Sequence, residues 1–192
     1  TDIYWTELRP PNAGRITIVK RTADGQTTDV TPPEFNARTR VHEYGGGAYI
    51  IQDGVLWCSN YGDQRLYRID PDAEPVALTP EVDLRYADGV YDSRRDLIYT
   101  VREDHTVEGE AVNTIVSLSA TEPGDGGDIV TSDCDFYSNP RLSPDGSRLA
   151  WLQWNHPNMP WDGTELHVAQ LDEAGRVVDS QQIAGGLDLS LI

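Results

Sequence analysis

Four short apolar segments with an aromatic third residue recur along the chain: Ile3-Tyr4-Trp5, Val55-Leu56-Trp57, Leu97-Ile98-Tyr99 and Leu149-Ala150-Trp151, spaced by 52, 42 and 52 residues. A period of this size constrains the fold strongly, because a unit so small cannot bury a core alone and must stack on copies of itself. Each segment is followed by a second strand-like run: Arg15–Val19, Arg65–Ile69, Asn113–Leu118 and Glu165–Ala169. Three are preceded by a run opened by tyrosine, Tyr44–Tyr49, Tyr86–Tyr91 and Tyr137–Leu142, which supplies an inner strand. A fourth strand fits Gln26–Val30, Pro75–Leu78, Asp128–Thr131 and Ser180–Ile183, each beyond a turn-rich patch such as Asp125-Gly126-Gly127. The order A-B-C-D, without helical periodicity, predicts an all-β chain. The expected architecture is a partial β-propeller of about four four-stranded blades, open at both ends. A two-sheet sandwich is the alternative, but it has no reason to repeat an aromatic at one strand position.

The blades are expected at 1–34 (incomplete, without an inner strand), 40–80, 83–133 and 135–185, with 186–192 opening the next. Such a chain cannot seal by strand exchange, so the sequence reads as a segment of a longer protein cut at both ends. Its unsealed edges predict a tendency to self-associate.

Composition narrows the partners. Thirty-two acidic residues against 15 basic ones give a net charge of −17, which repels phosphate backbones and anionic lipid headgroups. No nucleic-acid or membrane partner is expected. The carboxylates are spread along the chain, so they read first as a solvated surface, with attraction for a cationic ligand such as a peptide amino terminus as the second reading. No run approaches the roughly 18 apolar residues of a membrane span, and the N-terminus lacks a signal-peptide pattern. Cys58 and Cys134 lack CxxC spacing and read as buried free thiols. Together these features point to a cytoplasmic location.

Ser143-Pro144-Asp145-Gly146-Ser147-Arg148-Leu149-Ala150-Trp151 resembles the SPDG-type blade turn of TolB-like propellers and of the prolyl oligopeptidase family. Two longer strings, Arg40–Tyr49 (RVHEYGGGAY) and Trp154–Leu166 (WNHPNMPWDGTEL), resemble the propeller of acylaminoacyl-peptidase-like or dipeptidyl-peptidase-like serine peptidases of that family. The resemblance runs from Ile3 to Leu187. It implies a parent in which an N-terminal propeller covers an α/β-hydrolase domain and restricts substrates to short peptides. On that reading the chain is a non-catalytic gate and packing surface; the alternative is a TolB-like scaffold for protein interactions.

The residues themselves offer no catalytic set. A serine hydrolase of that class needs Gly-x-Ser-x-Gly, and no serine here has that context. His42-Glu43-Tyr44-Gly45-Gly46 lacks the second histidine of a zinc-binding HExxH, and Asp70–Glu81 carries Pro75 where a calcium loop needs glycine. Neither a metal nor a cofactor is expected. The Gly45-Gly46-Gly47 run lacks the helix of a phosphate loop and suits close blade packing near the axis. Two segments remain as candidates for contact with substrate or with a hydrolase domain: Arg40, His42, Glu43 and Tyr44 at the entry to an inner strand, and Trp154, His156, Met159 and Trp161 in a proline-stiffened loop.

Overall fold

A computed structural model describes residues 1–191, and Ile192 lies outside the described residues. Apart from one 3-10 turn at Pro10–Asn12, the ordered elements are all strands. They are β1 (Ile3–Arg9), β2 (Arg15–Arg21), β3 (Thr27–Asp29), β4 (Tyr49–Gln52), β5 (Val55–Ser59), β6 (Leu66–Ile69), β7 (Val76–Ala77) and β8 (Leu84–Asp92). The rest are β9 (Leu97–Asp104), β10 (Val112–Ser119), β11 (Asp128–Thr131), β12 (Phe136–Leu142), β13 (Arg148–Trp154), β14 (Glu165–Leu171) and β15 (Val177–Gly185). They pair antiparallel into a three-stranded sheet, β1-β2-β3, and three four-stranded ones, β4-β5-β6-β7, β8-β9-β10-β11 and β12-β13-β14-β15. None is closed on itself, so the chain is the expected partial propeller, with its first blade lacking the inner strand. No helix of the described residues is long and apolar enough to cross a membrane.

The core lies between sheets rather than within any of them. Ile18, Phe35, Leu56, Cys58 and Ile69 fill the seam between blades 1 and 2. Trp57, Leu66, Tyr86, Ile98 and Val116 fill the next, and Tyr99, Val101, Tyr137, Leu149 and Trp151 the third. Alternation along a strand explains the split: Ile98 faces back toward blade 2 while its neighbour Tyr99 faces forward to blade 4. In blades 2 and 3 the forward-facing aromatic of strand B also bonds the next blade. Trp57 Nε1 donates to Ala120 O at 2.8 Å, and Tyr99 Oη donates to Gly175 O at 2.8 Å. Gly175 adopts φ +83°, and a Cβ there would collide with Tyr99 Oη, so this turn takes glycine on both counts.

Two features of the repeat differ from the sequence reading. Trp151 is not the counterpart of Trp57 and Tyr99. The hairpin before β9 closes with Asp92 opposite Leu97, and the one before β13 closes with Ser143 N donating to Arg148 O. Arg148 therefore stands where Leu97 does, Ala150 takes the place of Tyr99, and Trp151 faces backward into the third seam. In blade 1 the counterpart of Trp57 is likewise Tyr4. Lys20 pairs with Tyr4 and lies 5.8 Å above its ring, as Arg68 pairs with Trp57 and lies 5.8 Å above its ring. A one-residue offset exchanges sheet faces: Trp57 and Tyr99 stand two residues past the one that closes their hairpin, Trp151 three. The second correction is the inner strand of blade 2, which is β4, starting at Tyr49. Residues 41–44 form a turn instead, with His42 (φ 54°) and Glu43 (φ 64°) both left-handed.

The thiols are unpaired: Cys58 is fully buried, which pushes its pKa up to about 12, whereas Cys134 is only half-buried, contrary to expectation. Residues 70–73 make the β6–β7 turn, with Ala73 N bonded to Asp70 O.

Blades 3 and 4 are also locked at the end that carries the A–B hairpins. Asp92 and Arg95, with side chains 2% and 8% exposed, pair at 2.5 Å, and Arg95 further donates to Gly146 O at 2.9 Å and Asp172 O at 2.8 Å. Replacing one member leaves a buried charge unpaired. Arg95→Met is therefore expected to lower unfolding free energy by about 3 kcal/mol in urea titrations; a loss below about 1 kcal/mol, as for a surface pair, would contradict this assignment.

Candidate functional site

Antiparallel pairing puts the D–A connections and the B–C loops at the same end of every blade, opposite the A–B hairpins. The connection from β3 to β4 is the longest of the D–A set, and its path is fixed step by step. Asn36 Oδ1 accepts from Ile16 N, Ala37 bridges to Asn60, and Arg40 N donates to Gln64 Oε1 at 2.8 Å. Val41 then inserts, 1% exposed, among Ala87, Tyr99, Val101 and Tyr137 in the seam between blades 3 and 4. The turn that follows is closed by Glu43 N to Arg40 O and Gly45 N to Val41 O.

Blade 3 pins this turn through Glu103, a buried carboxylate at the end of β9. Its Oε1 accepts from His42 N at 3.0 Å, and its Oε2 faces His105 Nε2 at 2.8 Å and Arg85 Nη1 at 3.3 Å. Arg85 also reaches Glu43 Oε1 at 2.9 Å and Arg40 O at 3.2 Å. The guanidinium beside it holds the Glu43 carboxyl below the usual carboxylate range. Beyond the turn, Gly47 N donates to Asp88 Oδ1 at 2.6 Å, and Asp88 Oδ2 accepts from Asn139 N at 3.2 Å, so one carboxylate ties the inner edges of three blades. A Cβ on Gly46 would stand 2.9 Å from Asp88 Oδ1 and 3.1 Å from Ala87 Cβ, which explains the glycines by close packing near the axis.

Thus placed, the His42 ring meets the β12–β13 hairpin. It lies 5.5 Å from the Trp154 ring, 5.7 Å from Phe136 and 5.7 Å from Tyr44, while Phe136 stacks on Trp154 at 5.5 Å. The 155–164 loop closes the far wall with Met159, Pro160 and Trp161. The result is a two-lobed groove. One lobe, of about 290 Å³, runs from His42, Tyr44 and Trp154 to Glu103, His105 and Asn113. The other, of about 400 Å³, runs from the same rings toward Asp88 and Asn139 at the inner strands.

Of the eight residues singled out from sequence, six line this groove: His42, Glu43, Tyr44, Trp154, Met159 and Trp161. The two segments, more than a hundred residues apart, share one site. Arg40 does not join them; its guanidinium lies 4.5 Å above the Tyr61 ring, on blade 2. His156 turns to the far side of Phe136, bonding Asp135 Oδ2 at 3.1 Å and approaching Glu110 at 3.3 Å. Sequence reasoning missed Glu103, His105, Asn113 and Phe136. Glu103 lies in the charged run Arg102-Glu103-Asp104 that ends β9, where nothing in the sequence marks it as buried. Among the described residues no group of His, Cys, Asp and Glu side chains is arranged to hold a metal ion.

Burial holds the His42 imidazole below its ordinary pKa of 6.5, against the opposing pull of Glu103 and Asp88. The folded turn therefore favours neutral His42. Its contribution to stability is complete above pH 6.5 and is lost as pH falls through the lower folded value. NMR titration should find His42 still neutral at pH 6.5, and the unfolding free energy should decline on further acidification by an increment that His42→Phe removes. A His42 titrating above 6.5 would contradict this.

No family model and no curated protein matches the sequence. Solved structures do. A puromycin-hydrolyzing peptidase of Mycobacterium tuberculosis is 37% identical over 97% of this chain, with a TM-score of 0.88. A puromycin hydrolase is 35% identical over 97% of the chain, with a TM-score of 0.89. The chain covers 31% of each of those proteins. A putative TolB from Agrobacterium tumefaciens aligns over 98% of this chain and 63% of its own at 12% identity, with a TM-score of 0.65, a likeness of fold alone.

Proposed function

This chain is a β-propeller segment of the prolyl oligopeptidase (S9) family of serine peptidases, and we propose that it forms the substrate-admitting wall of such a peptidase. The observation that carries this reading is convergence. The two family-like strings, 40–49 and 154–166, meet in one groove at one end of the blades, with Tyr44 and Trp161 each more than 60% exposed at its rim. That end faces an α/β-hydrolase domain, which supplies the nucleophile, base and oxyanion hole that the sequence of this segment lacks. The aromatic walls hold the side chain of a short peptide or aminoacyl substrate, while the stiff 155–164 loop limits how much chain can enter. Substrates of the kind hydrolysed by the puromycin-hydrolyzing relatives fit this description.

A propeller working as a gate discriminates by length rather than performing chemistry. In a protein carrying this propeller with its hydrolase domain, Trp161→Ala combined with Met159→Ala is expected to reduce the preference in kcat/KM for dipeptide over decapeptide substrates roughly tenfold, the scale of one altered pocket contact. The isolated chain should hydrolyse neither. An unchanged length preference, or serine-probe labelling of the isolated chain, would overturn the reading.

A further inference from the structure

The far wall of the groove, Met159, Pro160 and Trp161, belongs to the 155–164 loop between β13 and β14. Asp162 closes the tip of this loop on itself: its N donates to Met159 O at 2.9 Å, and its Oδ2 accepts from Met159 N at 2.9 Å. These bonds fix the tip but not its angle to the blade. The angle is set from outside, by residues 186–191, the segment that follows β15. At the tip, Asn158 Nδ2 donates to Leu187 O at 2.7 Å and Ser190 Oγ to Pro160 O at 2.8 Å. At the base, Gly186 N donates to Thr164 O at 2.9 Å, Thr164 N to Leu189 O at 3.2 Å and Leu191 N to Thr164 Oγ1 at 2.9 Å.

The crossing has its own sequence requirement. Leu187, Leu189 and Leu191 are all exposed, so hydrogen bonds to the loop, rather than apolar burial, hold the segment down. The two backbones approach so closely that a Cβ on Gly163 would collide with Leu187 O and stand 2.6 Å from Gly186 O. Gly163 is not left-handed, so the crossing alone demands glycine there. Thr164, 1% exposed, gives its N, O and Oγ1 to the same segment.

We propose that residues 186–191 are a strap that sets how much chain the groove admits, and that Gly163 and Thr164 are positioning residues for the choice between short and long substrates, acting through Met159 and Trp161. This rests on the groove being the substrate site with the 155–164 loop as its limit. It adds the origin of that limit, which lies in the connection leaving blade 4 as well as in the loop's prolines. With the strap seated the loop is braced at tip and base; with it lifted the tip swings and longer chains enter.

Gly163→Ala tests this, because the atoms nearest to the added methyl group all belong to the strap. In amide hydrogen exchange on this chain, the Gly186 and Leu191 N–H groups should lose protection roughly fivefold, the worth of one hydrogen bond, while those of β9 and β10 keep theirs. In a protein carrying this propeller with its hydrolase domain, the same variant should cut the kcat/KM preference for dipeptide over decapeptide by a similar factor. The change should sit in a lower KM for the decapeptide, with kcat for the dipeptide unaltered. Thr164→Val, which keeps the volume and removes the acceptor of Leu191 N, should act in the same direction; Thr164→Ser, which keeps the acceptor, should not. Should Gly163→Ala fail to fold, the Thr164 pair decides. Unchanged exchange at Gly186 and Leu191, or a fall in kcat on both substrates alike, would overturn the strap. So would an unchanged length preference in Gly163→Ala where the Met159 and Trp161 double substitution shifts it, and the gate would then stand. A preference that neither variant shifts sinks the gate, and the strap with it.

Discussion

Every sheet in this chain is buried by its neighbour, and the rest of the structure depends on that mutual burial. No single blade encloses a core: the fully buried Ile18, Leu56, Ile98, Tyr99, Tyr137 and Leu149 sit in seams between consecutive sheets. A seam demands apolar residues on both faces of a sheet's central strands, which is why β5 and the first half of β9, through Val101, read as nearly continuous apolar runs. It also demands that neighbouring blades hold a fixed rotation. Polar cross-links do this at the periphery: Trp57 to Ala120, Tyr99 to Gly175, and Arg95 to Gly146 and Asp172.

The groove follows from the same stacking. A connection between blades 1 and 2 could have stayed over those blades. Instead Val41 finds an apolar hole at the end of the third seam, and Glu103 supplies an acceptor for the next backbone N–H. These two contacts carry His42 and Tyr44 across to Phe136 and Trp154. The site thus joins three blades, held by carboxylates whose partners are backbone amides as much as charged side chains.

Much of this was legible in the sequence, and the misreadings have physical causes. Strands B, C and D announce themselves by alternation and by the Asp-Gly and Gly-Gly turns between them. Tyr44-Gly45-Gly46-Gly47 imitates an inner strand because a tyrosine lies near the start of β8 and of β12, but left-handed His42 and Glu43 turn the chain and delay β4 to Tyr49. Trp5 and Trp151 match Trp57 by residue type, yet each stands one residue out of register with it and so lies on the opposite face. In the site, the aromatic loop and the His42 turn stand out as unusual strings. Asn113 and Phe136 look like ordinary strand-end residues, and only the convergence of distant loops gives them a role.

The central claim is that residues 40–45 cross from their own blade to the end of blades 3 and 4 and build one groove with the 154–161 loop. Nuclear Overhauser contacts between the His42 imidazole and the Trp154 indole test it most directly. Ring centroids 5.5 Å apart predict strong cross-peaks between them, together with contacts from His42 to Phe136. A His42 ring showing contacts to Tyr61 and the β5–β6 loop alone, with none to Trp154, would contradict the account.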